Sequence, residues 1–442
     1  MSSTREMVVG VMGLGKVGLP MAACIADAGY SVLGFDSDPR VSDRLRSDVS
    51  LPDEPEVARL LHQNHDHFRV AANVEELKGC AITFVVVPTP SESSGGFTPE
   101  YVAGAAEALG AWWRGSAEYR LVVIVSTLMP GTTERAIIRA LERASGRRCG
   151  ETFGVCYSPA FAALGRVVHD LRNPEFILIG ESDVRAGDML QEFYNGFHGH
   201  PPPLVRMNLV NAEIAKLSVN AFVTMKISFA NLIGELAERT PGADAIAITR
   251  AMGHDSRIGP RFLRPGTAFG GPCFPRDNRA FSNWAATVGV DAPLPEAADA
   301  INERQTQRLL GLLLPLVAPG ARIAVLGLAY RVGIDILDAS AGTAMTKVLV
   351  RSGYSVHVHE PTGEVRARSM FGETVTYAPS VEHAIERADA VIVALPHPDF
   401  ERVNSVVSRP RAGTLPILLD CWGMFDEASL AGRYRYRRPG RS

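Results

Sequence analysis

The chain has 442 residues, a formal net charge of −3, a hydrophobic fraction of 46% and a charged fraction of 21%. That length predicts two or three domains of an ordinary soluble globular protein. The near-neutral balance gives no electrostatic basis for nucleic acid or an anionic membrane as partner. No apolar run approaches the roughly 18 residues of a membrane span, and the first residues lack a signal-peptide pattern. Six cysteines, at 24, 80, 149, 156, 273 and 421, show no CxxC or paired spacing. This argues against a metal such as zinc and against a disulfide framework, and for a reducing cytoplasm. Arg occurs 40 times and Lys five times, at 16, 78, 216, 226 and 347. A Lys at a special position therefore hints that a compact ammonium is wanted there.

Met7 to Met12 is a short apolar run and predicts a buried parallel strand. It leads into Gly13-Leu14-Gly15-Lys16-Val17-Gly18 and a small-residue helix over Leu19–Ala28. Gly13, Gly15 and Gly18 permit a tight turn and close approach of backbone N–H groups, Val17 among them, to a pyrophosphate at the helix N-terminus. A second strand, Ser31–Phe35, ends in Asp36, whose carboxylate suits the ribose hydroxyls of NAD and would repel the 2′-phosphate of NADP. A lone GxGxxG is weak; strand, glycine turn, helix, strand and acid together are strong.

Strand-like runs follow at Ala81–Val87 and Leu121–Val125, each ending in a polar turn. Ligands bind at the carboxyl ends of strands in such sheets, so Thr89 and Thr127 point at the cofactor cleft. Either Thr alone is equally an ordinary strand-ending residue. A further strand, Gly154–Tyr157, leads into Ser158-Pro159-Ala160-Phe161-Ala162-Ala163-Leu164-Gly165. Met207–Arg239 predicts one long helix, stopped by Pro241-Gly242, with apolar residues at helical spacing through Ile214, Leu217, Ala221, Met225, Phe229 and Leu232. Asn211, Lys216 and Asn220 interrupt that pattern; Lys216 and Asn220, four apart, share a face and can converge on one oxygen. Lys226 fits only as a structural or interface residue.

Phe269-Gly270-Gly271-Pro272-Cys273-Phe274-Pro275-Arg276-Asp277 is a constrained loop, since Gly permits positive φ and Pro fixes φ near −65°. A cysteine at its centre with a carboxylate four residues later suits covalent catalysis by a thiolate. Asp291–Leu316 predicts a helical connection, and Pro319-Gly320 a boundary. Beyond it, strands at Arg322–Leu326, Ser355–His359, Ala390–Leu395 and Leu415–Leu419, with a helix over Gly342–Ser352, form a second Rossmann-like half. Its glycine motif is degraded, which suits a nucleotide but not a full dinucleotide. Tyr434–Arg438 reads as a last edge strand with a basic tail. The expected fold class is therefore α/β, two Rossmann-like doubly wound domains joined by a long central helix. The domains are 1–203 for NAD, 204–317 helical and catalytic, and 318–442 for the nucleotide sugar.

On the glycine turn, the Asn211-Ala212-Glu213-Ile214-Ala215-Lys216 stretch with Asn220, and above all the Cys273 loop, the chain resembles the UDP-glucose/GDP-mannose dehydrogenase family. The resemblance runs over nearly the whole length. It implies NAD-dependent four-electron oxidation of a nucleotide sugar's primary alcohol to the acid, with Cys273 as nucleophile and Lys216 and Asn220 as oxyanion donors. Asp277 would assist proton and water handling, Thr89 would contact NAD and Thr127 would help position water. It further implies that Phe161, Phe262 and Gly270 lie at the sugar, and that Arg257 reaches phosphates across a homodimer interface.

Three departures stand out. Where the family has Pro-Glu-Phe this chain has Ala160, with Ala163-Leu164 at a nearby Arg-Glu pair; Ala cannot act as a base in the hydrolytic step. Asp338 takes the place of a family Arg, and Trp422 that of another. At roughly 1.5–3 kcal/mol per charged hydrogen bond, losing two guanidinium groups could cost several kcal/mol if nothing compensates. Three readings stay open: a nucleotide-sugar 6-dehydrogenase, a catalytically weakened relative acting as sensor or scaffold, and a single-hydride alcohol dehydrogenase that would leave the cysteine loop without a task. Within the first, either another group covers hydrolysis, or the step is slow, or position 160 carries a deliberate Glu→Ala change.

Overall fold

A computed structural model describes residues 7–47, 54, 56–200, 202–406, 408 and 414–441. The chain divides into two compact units, 1–218 and 219–442. The first holds an eight-stranded sheet of β1 (Val8–Met12), β2 (Ser31–Phe35), β3 (Phe68–Val70), β4 (Ile82–Val85), β5 (Arg120–Ile124), β6 (Phe153–Tyr157), β7 (Ile177–Glu181) and β8 (Leu204–Asn208), in the order β3-β2-β1-β4-β5-β6-β7-β8. All neighbours are parallel except β6 and β7, which pair antiparallel through Cys156 and Glu181. Strands buried on both faces can be apolar throughout, and β4 and β6 are buried at every residue. Two apolar cores pack against the sheet, one around Ile25, Phe84 and Phe193, the other around Trp113, Phe153 and Tyr157.

The second unit carries a six-stranded parallel sheet of β9 (Arg322–Leu326), β10 (Ser355–His359), β11 (Thr376–Tyr377), β12 (Ala390–Val393), β13 (Ile417–Asp420) and β14 (Arg435–Arg437), in the order β11-β10-β9-β12-β13-β14. The α/β class with two parallel sheets and a long helix is as the sequence predicts, and the basic stretch after Tyr434 is indeed an edge strand. The strands the sequence did not announce, β3, β7, β8 and β11, are short or lie outside the stretches read for glycine and apolar signals.

Both sheets use one steric device. Gly13 has φ +95°, and a Cβ on Gly18 would sit 1.8 Å from the Gly13 carbonyl oxygen; Gly327 has φ +92°, and a Cβ on Gly342 would sit 2.0 Å from the Gly327 oxygen. The gap between the paired glycines grows from five residues to 15, so the degraded motif of the second half is an intact turn with a loop, 328–340, inserted into it.

The long helix spans Leu209–Glu238. It begins two residues later than its periodicity suggests because Met207 and Asn208 finish β8, and the Asn208 side chain accepts from Asn211 N at 2.9 Å, a helix N-cap. The helix is long and apolar enough, by length and composition, to cross a membrane, which corrects the expectation that no such run exists. Its burial, however, includes a polar stripe beside the buried Ala212, Leu217 and Ala230. Glu213, Lys216, Asn220, Thr224, Ser228 and Asn231 are buried at three- and four-residue spacing, while Phe222, Phe229 and Leu236 are exposed. Such a polar buried stripe, with hydrogen-bond partners along it, belongs to a core helix of a folded domain.

Candidate active site

In the first unit, the turn after β1 is held by Asp36: one carboxylate oxygen accepts from Leu14 N at 2.8 Å and the other from Asp38 N at 2.9 Å. Gly13 N donates to Phe35 O at 2.8 Å, tying the turn to the end of β2. The three glycines are not equivalent. A Cβ on Gly13 would meet Val86 O at 2.3 Å, and one on Gly18 would strike the Gly13 carbonyl. At Gly15, which is exposed, a Cβ would meet nothing within 4 Å. Gly13 and Gly18 thus serve the fold, whereas Gly15 leaves open space beside the backbone of the turn. The cradle fits a dinucleotide, with Val17 half-buried at the helix start. Gly18→Ala is expected to destabilise the protein by about 1–3 kcal/mol. Gly15→Ala should leave the melting temperature unchanged while weakening NAD binding, measurable by titration calorimetry.

At the carboxyl ends of β4 and β5, Ser126 Oγ donates to Val87 O at 2.6 Å and accepts from Val87 N at 3.1 Å. This bridge fixes the two turns that carry Thr89, buried, and Thr127, half-buried. Lys216, also in this unit, is buried; its Nζ donates to the Ala160 carbonyl at 2.9 Å and lies 4.3 Å from the centroid of Phe161. Phe161 in turn packs on Phe176 at 4.8 Å. The chain therefore brings Lys216 of the long helix against Phe161 and the Ala160 carbonyl.

In the second unit, Cys273 is exposed and stands at the N-terminus of the helix Phe274–Thr287. A helix N-terminus carries partial positive charge and favours a thiolate. Asp277, buried in the first turn, accepts from Asn220 Nδ2 at 2.6 Å and from Arg276 Nε at 3.2 Å, and its N–H donates to Cys273 O at 2.8 Å. Cys273, Asp277 and Asn220 are thus one constellation. Gly270 is buried because a Cβ there would lie 1.8 Å from Ala339 O, and Gly271, at φ +77°, lies under the ring of Tyr330. Phe262, half-exposed and at φ +61°, meets Phe274 edge-on at 6.3 Å, and Phe269 does so at 6.5 Å.

Some residues that shape this loop escaped the sequence reading. Asn302 accepts from Phe269 N at 2.7 Å and donates to Phe269 O at 2.9 Å. Asn231 accepts from Gly266 N at 2.8 Å, and Gln305 donates to Gly266 O at 2.5 Å. Their only signal was an amide inside a helical pattern. Arg257 is exposed and forks onto Asp255, with N–O distances of 2.6–3.1 Å. Lys226 donates to Ile258 O and Gly259 O at 3.0 and 3.2 Å, a structural contact as expected.

A glycine turn with its acid at the end of the second strand, and a thiol at a helix start backed by a buried carboxylate, define a dinucleotide-dependent dehydrogenase with a candidate covalent nucleophile. Residues 7–198, 210–304 and 324–427 match, in turn, the NAD binding, central and UDP binding domains of the UDP-glucose/GDP-mannose dehydrogenase family. The chain is 32% identical over 402 residues to UDP-glucose 6-dehydrogenase AglM of Haloferax volcanii, covering 90% of this chain and 93% of the relative. It is 31% identical to UDP-glucose 6-dehydrogenase TuaD of Bacillus subtilis, over 98% of this chain and 93% of the relative. A solved UDP-glucose dehydrogenase of Pyrobaculum islandicum superposes with a TM-score of 0.89 at 30% identity, covering 100% of this chain and 99% of that one. The chain belongs to the UDP-glucose/GDP-mannose dehydrogenase family and is an NAD-dependent oxidoreductase that binds a nucleotide sugar.

Proposed function

We propose that the protein oxidises the C6 primary alcohol of a UDP-glucose-like nucleotide sugar to the uronic acid, in four electrons, through covalent intermediates on Cys273. The observation that carries this reading is Cys273 itself, an exposed thiol at a helix N-terminus with Asp277 and Asn220 hydrogen-bonded behind it. Bound at the Gly13–Gly18 turn by Gly13, Gly15, Val17, Gly18 and Asp36, and contacted by Thr89, NAD supplies a hydride acceptor for each oxidation.

The alcohol first loses a hydride and a proton to become an aldehyde. The Cys273 thiolate then adds to the aldehyde carbon, forming a C–S bond and an oxyanion that takes up a proton as the thiohemiacetal. Loss of a second hydride and that proton leaves a thioester. Water adds to the thioester carbon, the C–S bond breaks, and the acid and the thiol are released. Lys216 and Asn220 donate hydrogen bonds to the oxyanions, each such donor worth about 10²–10³ in rate. Asp277 handles protons beside the thiol and Thr127 orients water. Phe161, Phe262 and Gly270 border the sugar, and Arg257 contacts phosphate from a second copy of the chain.

The division of labour is 1–203 for NAD, 204–317 for catalysis and dimerisation, and 318–442 for the nucleotide. A homodimer through the central helix is supported by Phe222, Phe229 and Leu236, which are exposed at seven-residue spacing, and a cytoplasmic location by the cysteine spacing. Ala160 supports a second reading: with no carboxylate there, hydrolysis is slow and the thioester accumulates, leaving a weakened enzyme that acts as sensor or scaffold. Purified protein with NAD and a panel of UDP- and GDP-hexoses should produce NADH with at least one sugar. Measurable NAD binding without NADH from any of them would sink the enzymatic reading.

A further inference from the structure

Glu213 has no part in the reaction just described, yet it is placed as carefully as any residue that does. It lies on the central helix three residues before Lys216, one turn away on the same face. Its side chain is fully buried, 0% exposed. Three donors of a single loop converge on the carboxylate: Gly131 N at 2.5 Å, Thr133 N at 2.8 Å and Thr133 Oγ1 at 2.6 Å. A buried carboxylate is costly unless it is fully hydrogen-bonded. Here the donors form the start of the helical segment Thr133–Ile138, whose N-terminal partial charge adds to the attraction.

The loop so held begins at Thr127. Its near end is fixed by Ser126, which donates to Val87 O and accepts from Val87 N. Its far end is fixed by Glu213, and Arg135 closes it from outside by donating to Pro130 O at 2.7 Å. Gly131 has φ +80°, a backbone conformation that side chains rarely adopt, so the glycine sets the turn of the loop. One turn beyond Glu213, Lys216 donates to Ala160 O. The helix turn carrying Lys216 and the loop carrying Thr127 are therefore joined through a single carboxylate.

We propose that Glu213 is a positioning residue for the dehydrogenation: it fixes the Thr127–Thr133 loop to the helix turn of Lys216, so that the two groups hold a constant separation. The assignment rests on the functional reading above, in which Thr127 and Lys216 act on the reacting carbon. A misplacement of about 1 Å is enough to cost on the order of 10²-fold in rate.

Two substitutions in the full-length protein test this. Glu213→Gln keeps shape and the acceptor for Thr133 but loses the charge and turns an amide donor toward Gly131 N–H. Thr133→Val removes one donor and leaves the carboxylate intact. The expected result is a fall in kcat of about 10–100-fold for E213Q and less for T133V. KM for the sugar and Kd for NAD should stay within about threefold, and the double variant should be no slower than E213Q. Amide deuterium exchange over residues 127–138 should accelerate in both variants, with or without substrate.

A folded E213Q whose kcat stays within about twofold of the parent overturns the proposal. If E213Q does not fold, an unchanged kcat and unchanged exchange in T133V do the same. A kcat loss that matches only the fraction of unfolded protein assigns Glu213 to stability and also overturns it. A parent protein inactive with every nucleotide hexose shows instead that the functional reading has failed, and removes the reaction Glu213 was to serve.

Discussion

Cys273→Ser is expected to abolish acid formation, with turnover falling about 10³-fold or more while NAD binding is unchanged. In the proposed reaction the thiol does two jobs that a hydroxyl does poorly. It adds to the aldehyde as an anion, for which the start of the helix Phe274–Thr287 supplies favourable partial charge. It then leaves from the thioester, whereas an oxygen ester at the same place would hydrolyse more slowly. Serine is close in size and Cys273 is exposed, so folding should be unaffected; thermal melting checks that. Calorimetric NAD affinity should not change, because the Gly13–Gly18 turn and Asp36 are left untouched. Acid released at more than about a tenth of the parent rate would remove Cys273 from the mechanism.

Lys216→Met is the second large effect, an expected loss of about 10²–10³ in kcat. Methionine keeps an unbranched apolar chain but loses the three donors of the ammonium, which stands 4.3 Å from the Phe161 ring centroid. One donor of the ammonium is engaged by Ala160 O at 2.9 Å. Losing the Ala160 contact should lower stability by about 1.5–3 kcal/mol, the worth of a hydrogen bond to a charged group. Lys216→Arg tests whether charge alone suffices. The guanidinium is larger and planar, and the site is buried, so rescue is not expected. In a sequence that writes Arg almost everywhere else, recovery of full activity by K216R would show that the ammonium has no special role.

Much of this was legible in the residues because the strongest signals are steric. The Gly13–Gly18 turn, its strand pair and Asp36 follow from where a Cβ would collide and where backbone donors need an acceptor. The limits of β2, β9 and β10 coincide with their apolar runs. Residues whose role depends on a distant loop were not legible. Glu213 reads as one more helix-favouring residue until Gly131 and Thr133, 80 or so positions away, are found on it. Asn231, Asn302 and Gln305 are likewise ordinary helical amides until Gly266 and Phe269 are seen between them. The long helix misled most. Its apolar repeat predicts an inward face, but only Leu217 of that repeat is buried and Phe229 is 43% exposed, while a polar stripe from Glu213 to Asn231 is buried and holds loops. A helical period gives a face; it does not say which face is inside.

The measurement that bears most directly on the central claim is the stoichiometry of a single enzyme preparation given NAD and its best nucleotide hexose, quenched in acid and examined by intact mass. The account predicts two NADH formed per sugar consumed and a transient mass increase, localised to Cys273, that matches the sugar nucleotide as a thioester. In the second reading, where hydrolysis is slow, the adduct persists and NADH appears as a burst of two per active site followed by a slow phase. One NADH per sugar, with free aldehyde as product and no adduct on Cys273 at any quench time, would contradict it.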